Sequence, residues 1–151
     1  MRQYHEAPIA VLSVVKGVAQ EHHKRLDGAK IAVVMKDKSS KKAGKAVLGT
    51  ASRPSEQLRP LLDDDYAFVI IIAEDEWNNM GTTQRVALVD HELCHCEYND
   101  KGMPTMRGHD YEEFAEVFQR HGFWRKDRGE HEVQTAFAMK GIEIGTLTAK
   151  P

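Results

Sequence analysis

Residues 66–95 read YAFVIIIAEDEWNNMGTTQRVALVDHELCH, and this stretch decides the fold. Its first part, from Tyr66 to Ala73, is apolar at almost every position, which is typical of a strand buried on both faces in the middle of a sheet. Thr82 and Thr83 are both suitable N-caps, and the apolar residues after them recur at helical spacing. The sequence therefore predicts a central strand, followed by a helix that runs from this threonine pair to about Tyr98.

The predicted helix has two faces of different character. One face is apolar and consists of Val86, Val89, Leu93 and Cys96. The face on roughly the opposite side carries Leu88, His91 and His95. We expect the first face to pack on the sheet and the second face to border a functional site.

The second face carries a complete H-E-x-x-H motif, His91-Glu92-Leu93-Cys94-His95. Residues four apart lie one above the other on a helix, so His91 and His95 can present imidazole nitrogens to one metal ion. Glu92 can reach a water bound to that ion and accept its proton as a general base. The motif predicts a zinc-dependent metallopeptidase, with Zn²⁺ as cofactor and a zinc-bound water as the attacking group.

Catalytic zinc usually takes three protein ligands. The extended motif H-E-x-x-H-x-x-G-x-x-H is absent, because Tyr98 and Lys101 occupy its glycine and third histidine positions. His109, directly before another predicted helix, is the first candidate for the third ligand. The alternative ligands are carboxylates of that helix, Glu112, Glu113 and Glu116. Asp110 could instead orient a ligand histidine through a hydrogen bond.

Residues 66–114 resemble the SprT-like zinc metallopeptidases, including the small chains described as putative phage metallopeptidases. The matching segments are YAFVIIIAEDEW, VDHELCHCEYNDKG and RGHDYEEF. The resemblance implies a compact zincin-type fold, in which His91, His95 and His109 bind zinc and Glu92 acts as base. The four-cysteine zinc ribbon of many SprT-like proteins has no counterpart in this sequence. An action on proteins associated with DNA therefore rests on analogy.

The order of elements along the chain predicts an α+β fold, with an N-terminal helix, a small mostly antiparallel sheet, the active-site helix and a second metal-site helix. The resemblance implies that these elements form a compact zincin-like domain. The predicted elements besides residues 66–98 are a helix from Pro8 to Arg25, a strand from Lys30 to Lys36, a loop over residues 37–45, a strand over residues 46–51 and a helix from about Asp110 to Gly122. We expect one domain over residues 1–141 and a mobile tail over residues 142–151.

The stretch from Lys24 to Pro60 is basic, with ten Lys or Arg against three Asp or Glu, an excess of +7 in a chain of net charge −2. Such a stretch is either a solvated loop or a patch that faces a polyanion. The lysines that would contact DNA or RNA are Lys36, Lys38, Lys41, Lys42 and Lys45. An extended peptide substrate is expected to add to a sheet edge formed by residues 46–51.

Length and composition set the wider limits. The 151 residues are 41% hydrophobic and 29% charged, and no uncharged apolar run approaches the roughly 18 residues of a membrane span, so we expect a cytoplasmic globular protein. The alternative function is a non-catalytic zinc-containing module that binds proteins or nucleic acid through its lysine-rich loop. Glu92 favours the enzyme, because a structural zinc site has no use for a base between its ligands.

Overall fold

The structure is a computed structural model that describes residues 4–57, 59–108, 114–122 and 124. The strands are β1 (Tyr4–Glu6), β2 (Ile31–Lys36), β3 (Lys41–Lys42), β4 (Lys45–Ala46), β5 (Gly49–Ser52), β6 (Phe68–Ala73), β7 (Cys96–Tyr98) and β8 (Pro104–Met106). The α-helices are α1 (Ile9–His22), α2 (Glu74–Asn78), α3 (Thr82–Cys94) and α4 (Ala115–His121). This mixture of helices and small sheets confirms the predicted α+β class.

The main sheet has the strand order β1-β2-β6-β5. β2 and β6 are parallel, whereas the other two pairings are antiparallel, so the sheet is mostly antiparallel as predicted. Strand β6 lies inside the sheet, and Val69 and Ile70, on its opposite faces, are both fully buried. Strand β5 is an edge strand, which pairs with β6 through the register Gly49 to Ile72.

Helices α1 and α3 share one hydrophobic core with the sheet. Alternate residues of β6 point to that core and are Phe68, Ile70 and Ile72. The helices contribute Val11, Val15 and Val18 from α1 and Leu88, Val89 and Leu93 from α3. Burial of these side chains at helical and strand spacing holds α3 against the sheet. Among the helices of the described ranges, none has both the length and the apolar character needed to cross a bilayer.

Helix α3 is shorter than its sequence pattern predicts. It ends at Cys94, and residues 96–98, predicted to be helical, form strand β7 against β8. The reason is tertiary: Cys96 pairs with Met106, and a turn that contains Gly102 at φ 73° joins the two strands. His95 follows the helix with φ −68° and ψ −25°, so its backbone is still helical and keeps the spacing to His91.

The predicted loop over residues 37–45 contains a two-stranded hairpin, β3–β4. Ala43 and Gly44 form its two-residue turn, with φ of 53° and 79°, as a type I′ turn requires. The predicted strand over residues 46–51 is therefore divided between β4 and the edge strand β5. Of the predicted C-terminal helix, Ala115–His121 is helical and Gly122 follows at φ 69°, while residues 109–113 and the predicted tail lie outside the described residues.

A buried carboxylate connects three helices. Asp90 of α3 is completely buried and accepts hydrogen bonds from Arg120 Nη1 at 2.7 Å, His23 Nε2 at 2.6 Å and His121 Nε2 at 2.8 Å. His23 in turn accepts a hydrogen bond at Nδ1 from Arg25. Arg25 also donates to the carbonyls of Leu93 and Cys96 and so caps the end of α3. The end of α1, α3 and α4 thus share one polar network.

The network keeps Asp90 ionised. Burial raises the pKa of this carboxyl, but the hydrogen bonds from His121, His23 and Arg120 outweigh burial and hold the pKa well below its ordinary value. A carboxyl whose pKa is lower in the folded than in the unfolded chain stabilises the fold at pH values above its unfolded pKa, and this contribution is lost as the pH falls.

We expect Asp90→Asn to lower the free energy of unfolding by about 3–5 kcal/mol at neutral pH, because it leaves buried donors without their anion. The difference from the wild type should shrink below about pH 4, where the unfolded carboxyl becomes protonated. Urea unfolding at several pH values measures both effects. Asp27→Asn at an exposed turn is the control, with an expected change under about 0.5 kcal/mol. Equal stability of the Asp90→Asn protein and the wild type would contradict this account.

Candidate metal centre

The H-E-x-x-H motif occupies the last turn of α3 and its C-cap. One ligand atom from each of His91, Glu92 and His95 lies within 4.8 Å of the other two. Glu92 Oε1 is 4.0 Å from His95 Nε2. His91 and Glu92 are buried, with 7% and 3% of their surface exposed, whereas His95 is half-buried. Two imidazoles and one carboxylate therefore converge as the sequence spacing predicts.

The imidazole of His95 is oriented by the main chain. Its Nδ1 lies 2.7 Å from the carbonyl oxygen of Arg107, and the amide of Arg107 donates to the carbonyl of His95 at 2.7 Å. A carbonyl only accepts, so Nδ1 carries the proton and Nε2 carries the lone pair. Ligand histidines in metal sites are commonly oriented by this kind of bond. The donor set therefore fits a metal ion, which His95 would bind through Nε2.

Aromatic side chains form the apolar surroundings of the two imidazoles. Phe114 is fully buried and directly precedes α4. The centroid of its ring lies 5.3 Å from the ring centroid of His91 and 5.0 Å from that of His95, edge to face in both cases. Trp124 contacts the ring of His91 at 6.2 Å. Such packing restricts rotation of the imidazoles and excludes water from one side of the site.

The carboxylate of Glu92 lies against the edge strand β5. A Cβ atom at Gly49 would be 3.2 Å from Glu92 Oε2 and 3.1 Å from the carbonyl oxygen of Ile71. Both distances are tighter than ordinary van der Waals contacts, and the second contact is with rigid backbone. The absence of a side chain at residue 49 therefore allows Glu92 and the strand to approach each other this closely.

A cleft of about 880 Å³ opens over the motif. The described residues of its first wall are Leu88, His91, Glu92, His95 and Trp124. The opposite wall consists of residues 40–43 and 45–51, which are the hairpin β3–β4 and most of the edge strand β5. The second face of α3 thus borders a cleft whose other side is a sheet edge.

The structure brings together some of the predicted site residues and separates others. Lys41, Lys42 and Lys45 line the cleft. Lys36 instead borders a small groove beside β1, and Lys38 is exposed in the bend before the hairpin. The predicted third ligand His109, its alternatives Glu112 and Glu113 and the predicted orienting residue Asp110 all lie outside the described residues.

The other carboxylate alternative, Glu116, is engaged by two guanidinium groups. Its oxygens lie 2.7 Å from Arg107 Nη1 and 3.1 Å from Arg120 Nη2. Burial raises the pKa of Glu116, but the two arginines outweigh it, so the pKa is lowered. These contacts weigh against Glu116 as a metal ligand.

Two further groups of potential ligands occur among the described residues, and neither lines the cleft. One is His5, Asp37 and Glu74, which form ion pairs at the half-exposed edge of the sheet. The other is His23, Asp90 and Cys94, part of the buried network, in which Arg120 already supplies the positive charge. Burial raises the pKa of the Cys94 thiol, so it does not offer a thiolate.

Sequence patterns did not indicate two features of the site. The hydrogen bond from His23 to Asp90 joins residues 67 positions apart, and helical spacing carries no information about such pairs. The one indication that Asp90 has a structural role is that a charged residue stands in the C-terminal half of a helix whose other residues there are buried. For the contact of Gly49 with Glu92 the sequence offers no comparable indication.

Comparison with known proteins identifies the family. The sequence profile of the family described as Putative phage metallopeptidase matches residues 2–137. No curated protein and no solved structure is significantly similar to the chain. The match confirms the resemblance to phage metallopeptidases and does not distinguish an SprT-like relation. A metallopeptidase requires a metal ion, and the group of His91, Glu92 and His95 suits one. The chain therefore belongs to the putative phage metallopeptidase family.

Proposed function

We propose that the protein is a zinc-dependent peptidase of SprT-like type that hydrolyses peptide bonds with Glu92 as general base. The observation that carries this proposal is the convergence of His91, Glu92 and His95 in a cleft whose opposite wall is a sheet edge. A structural zinc site would be closed by four protein ligands, whereas His91, Glu92 and His95 line a cleft that can receive a substrate.

His91 and His95 would hold the metal ion through imidazole nitrogens, with His95 using Nε2. Zinc is the ion that a nitrogen-rich site of this kind favours. When bound, zinc supplies a Lewis acid that polarises the scissile carbonyl and lowers the pKa of water.

We propose His109 as the third ligand, with Glu113 as the alternative and Asp110 as an orienting carboxylate. The described residues on either side of this segment support the proposal. Before it, the main chain of Arg107 is hydrogen-bonded to His95, and after it, the ring of Phe114 contacts both imidazoles. Because the residues that flank the segment contact the two imidazoles, we propose that the third ligand comes from it.

Glu92 would accept a proton from the attacking water and later pass it to the leaving amine. The carboxylate is buried and is held between α3 and Gly49, so its position changes little before the substrate arrives. A fixed base next to the attacking group contributes to catalysis because no reorganisation is needed during the reaction.

The edge strand β5 would bind the substrate as an added strand. Among the described strands β5 pairs with β6 alone, and Gly49, Thr50 and Ala51 line the cleft. A peptide that extends the sheet there would form main-chain hydrogen bonds and would pass directly over Glu92. Main-chain recognition depends little on the substrate's side chains, so any selectivity must come from the rest of the cleft.

Glu92→Gln tests the role of the base. We expect zinc to remain at about one ion per chain, while hydrolysis of an unfolded protein substrate falls by about 10²–10⁴-fold, the usual contribution of general-base catalysis. Elemental analysis and a fluorogenic protease assay measure the two quantities. Unchanged hydrolysis in the Glu92→Gln protein would contradict the role of Glu92 as base, whereas a zinc-loaded wild type that hydrolyses no substrate would favour a non-catalytic zinc module.

Single histidine substitutions test the metal site. We expect His91→Ala and His95→Ala to weaken zinc binding by at least about tenfold, because each removes a ligand. His22→Ala, at the end of α1 and outside the cleft, should bind zinc like the wild type. His109→Ala and Glu113→Ala separate the two candidates for the third ligand, since only the variant that lacks a ligand should lose metal. Normal zinc content in His91→Ala would contradict the assignment.

Gly49→Ala tests the contact between the edge strand and the base. The added Cβ requires the Glu92 carboxylate or the adjoining strand to give way by a few tenths of an ångström. Because a displacement of about 1 Å at a reacting group can reduce a rate by about 10²-fold, we expect kcat to fall by about 3–10-fold with unchanged zinc content. Gly17→Ala on α1, where an added Cβ meets nothing within 4 Å, is the matched control and should keep full activity. Full activity of Gly49→Ala would mean that Glu92 has room to adjust.

A further inference from the structure

We propose that the hairpin β3–β4 selects peptide substrates with acidic side chains next to the scissile bond. This inference rests on the proposed peptidase function and adds the class of substrate to it. The hairpin contributes Lys41 and Lys42 from β3 and Lys45 from β4, and all three residues line the cleft that contains Glu92.

The charge of the cleft is unbalanced. Among its described lining residues, three lysines stand against a single carboxylate, Glu92, which gives +3 − 1 = +2 before any metal ion binds. Within the described part of the chain, none of these lysines forms an ion pair: the carboxylates that do form ion pairs have other partners. A cleft lined by one sign of charge concentrates ligands of the opposite sign.

The hairpin is held in place at its base. The amide and hydroxyl of Ser39 donate to the carboxylate of Asp75 at 2.9 and 3.2 Å. The amide of Val47 donates to the carbonyl of Ser40 at 2.8 Å, which closes the two strands. A tight turn at the tip completes a short, defined wall. The lysines therefore have fixed starting points beside the cleft, unlike lysines of an extended loop.

The position of the hairpin along the chain favours a peptide as the partner. β4 is followed within three residues by Gly49, the first residue of the edge strand that lies against Glu92. A peptide added to β5 thus passes the lysines within a few residues of the scissile bond. Opposite charges at such distances attract each other, and the attraction weakens with salt because the Debye length falls from about 10 Å at 0.1 M to about 3 Å at 1 M.

Two labelled peptides test the proposal. They share one sequence, except that the positions around the scissile bond carry Asp and Glu in the first peptide and Asn and Gln in the second. Binding is measured by fluorescence anisotropy with the zinc-loaded Glu92→Gln protein, in which cleavage is slow on the timescale of the measurement. We expect the acidic peptide to bind at least about tenfold more tightly at low salt. Lys41→Gln, Lys42→Gln and Lys45→Gln combined should reduce this preference to less than about threefold.

A control variant removes the same charge elsewhere. Lys16→Gln, Lys24→Gln and Lys101→Gln combined change exposed lysines that do not line the cleft. This variant should keep the preference for the acidic peptide. Equal loss of preference in both triple variants would overturn the proposal, because net charge alone would then explain it. Equal affinities of the Glu92→Gln protein with its three hairpin lysines intact for the two peptides would overturn the proposal as well.

A DNA duplex is the third probe. Duplex binding that is lost in the hairpin variant, together with equal affinities for the two peptides, would overturn the proposal in favour of a nucleic-acid contact. Cleavage of the same peptides by the zinc-loaded wild type is measured separately. A failure of the peptidase function then appears as no cleavage of either peptide, whereas a failure of the present proposal appears as equal binding. In the cleavage assay we expect kcat/KM to follow the tenfold preference.

Discussion

The buried charge of Asp90 is the constraint on which the arrangement of the helices depends. Its carboxylate accepts hydrogen bonds from three side chains, His23, Arg120 and His121. Because Asp90 directly precedes His91, one turn of α3 presents an anion to the interior and an imidazole to the cleft. Separating these groups would leave buried polar atoms unpaired, which is among the most costly changes in a protein interior. Asp90 therefore helps to fix the placement of α4, and of Phe114 before it, against the imidazoles, together with the burial of Val117 and the ion pair of Glu116 with Arg107.

The sequence was sufficient for features that depend on local periodicity. An uninterrupted apolar run identified β6 as the interior strand, and helical spacing predicted that His91, Glu92 and His95 converge. The predicted end of α3 at about Tyr98 was wrong, because pairing of β7 with β8 overrides the helical pattern after His95. The hairpin was missed because Ala43 of its turn has a positive φ. Alanine rarely adopts this conformation, so an alanine in the sequence does not indicate such a turn.

Features that depend on distant parts of the chain could not be read from spacing. The partners of Asp90 come from both ends of the described structure, and Gly49 meets Glu92 only after the sheet has formed. The basic stretch is an intermediate case. Its charge was evident in the sequence, but its location beside a cleft was not, and the location changes which partner the lysines suit. On the cleft wall, a lysine faces whatever occupies the cleft.

The orientation of His95 and the position of Glu92 differ in how they tolerate mutation of neighbouring residues. His95 is oriented by the carbonyl oxygen of Arg107, and every amino acid at that position supplies the same acceptor. Substitutions at residue 107 that leave the backbone in place therefore keep this hydrogen bond, although they remove the contacts of the guanidinium with Glu116 and with the ring of Phe114. The position of Glu92 depends on the absence of a side chain at Gly49, and every substitution there adds one. Over evolutionary time, drift at residue 107 should preserve the hydrogen bond that orients His95, whereas selection should retain glycine at residue 49.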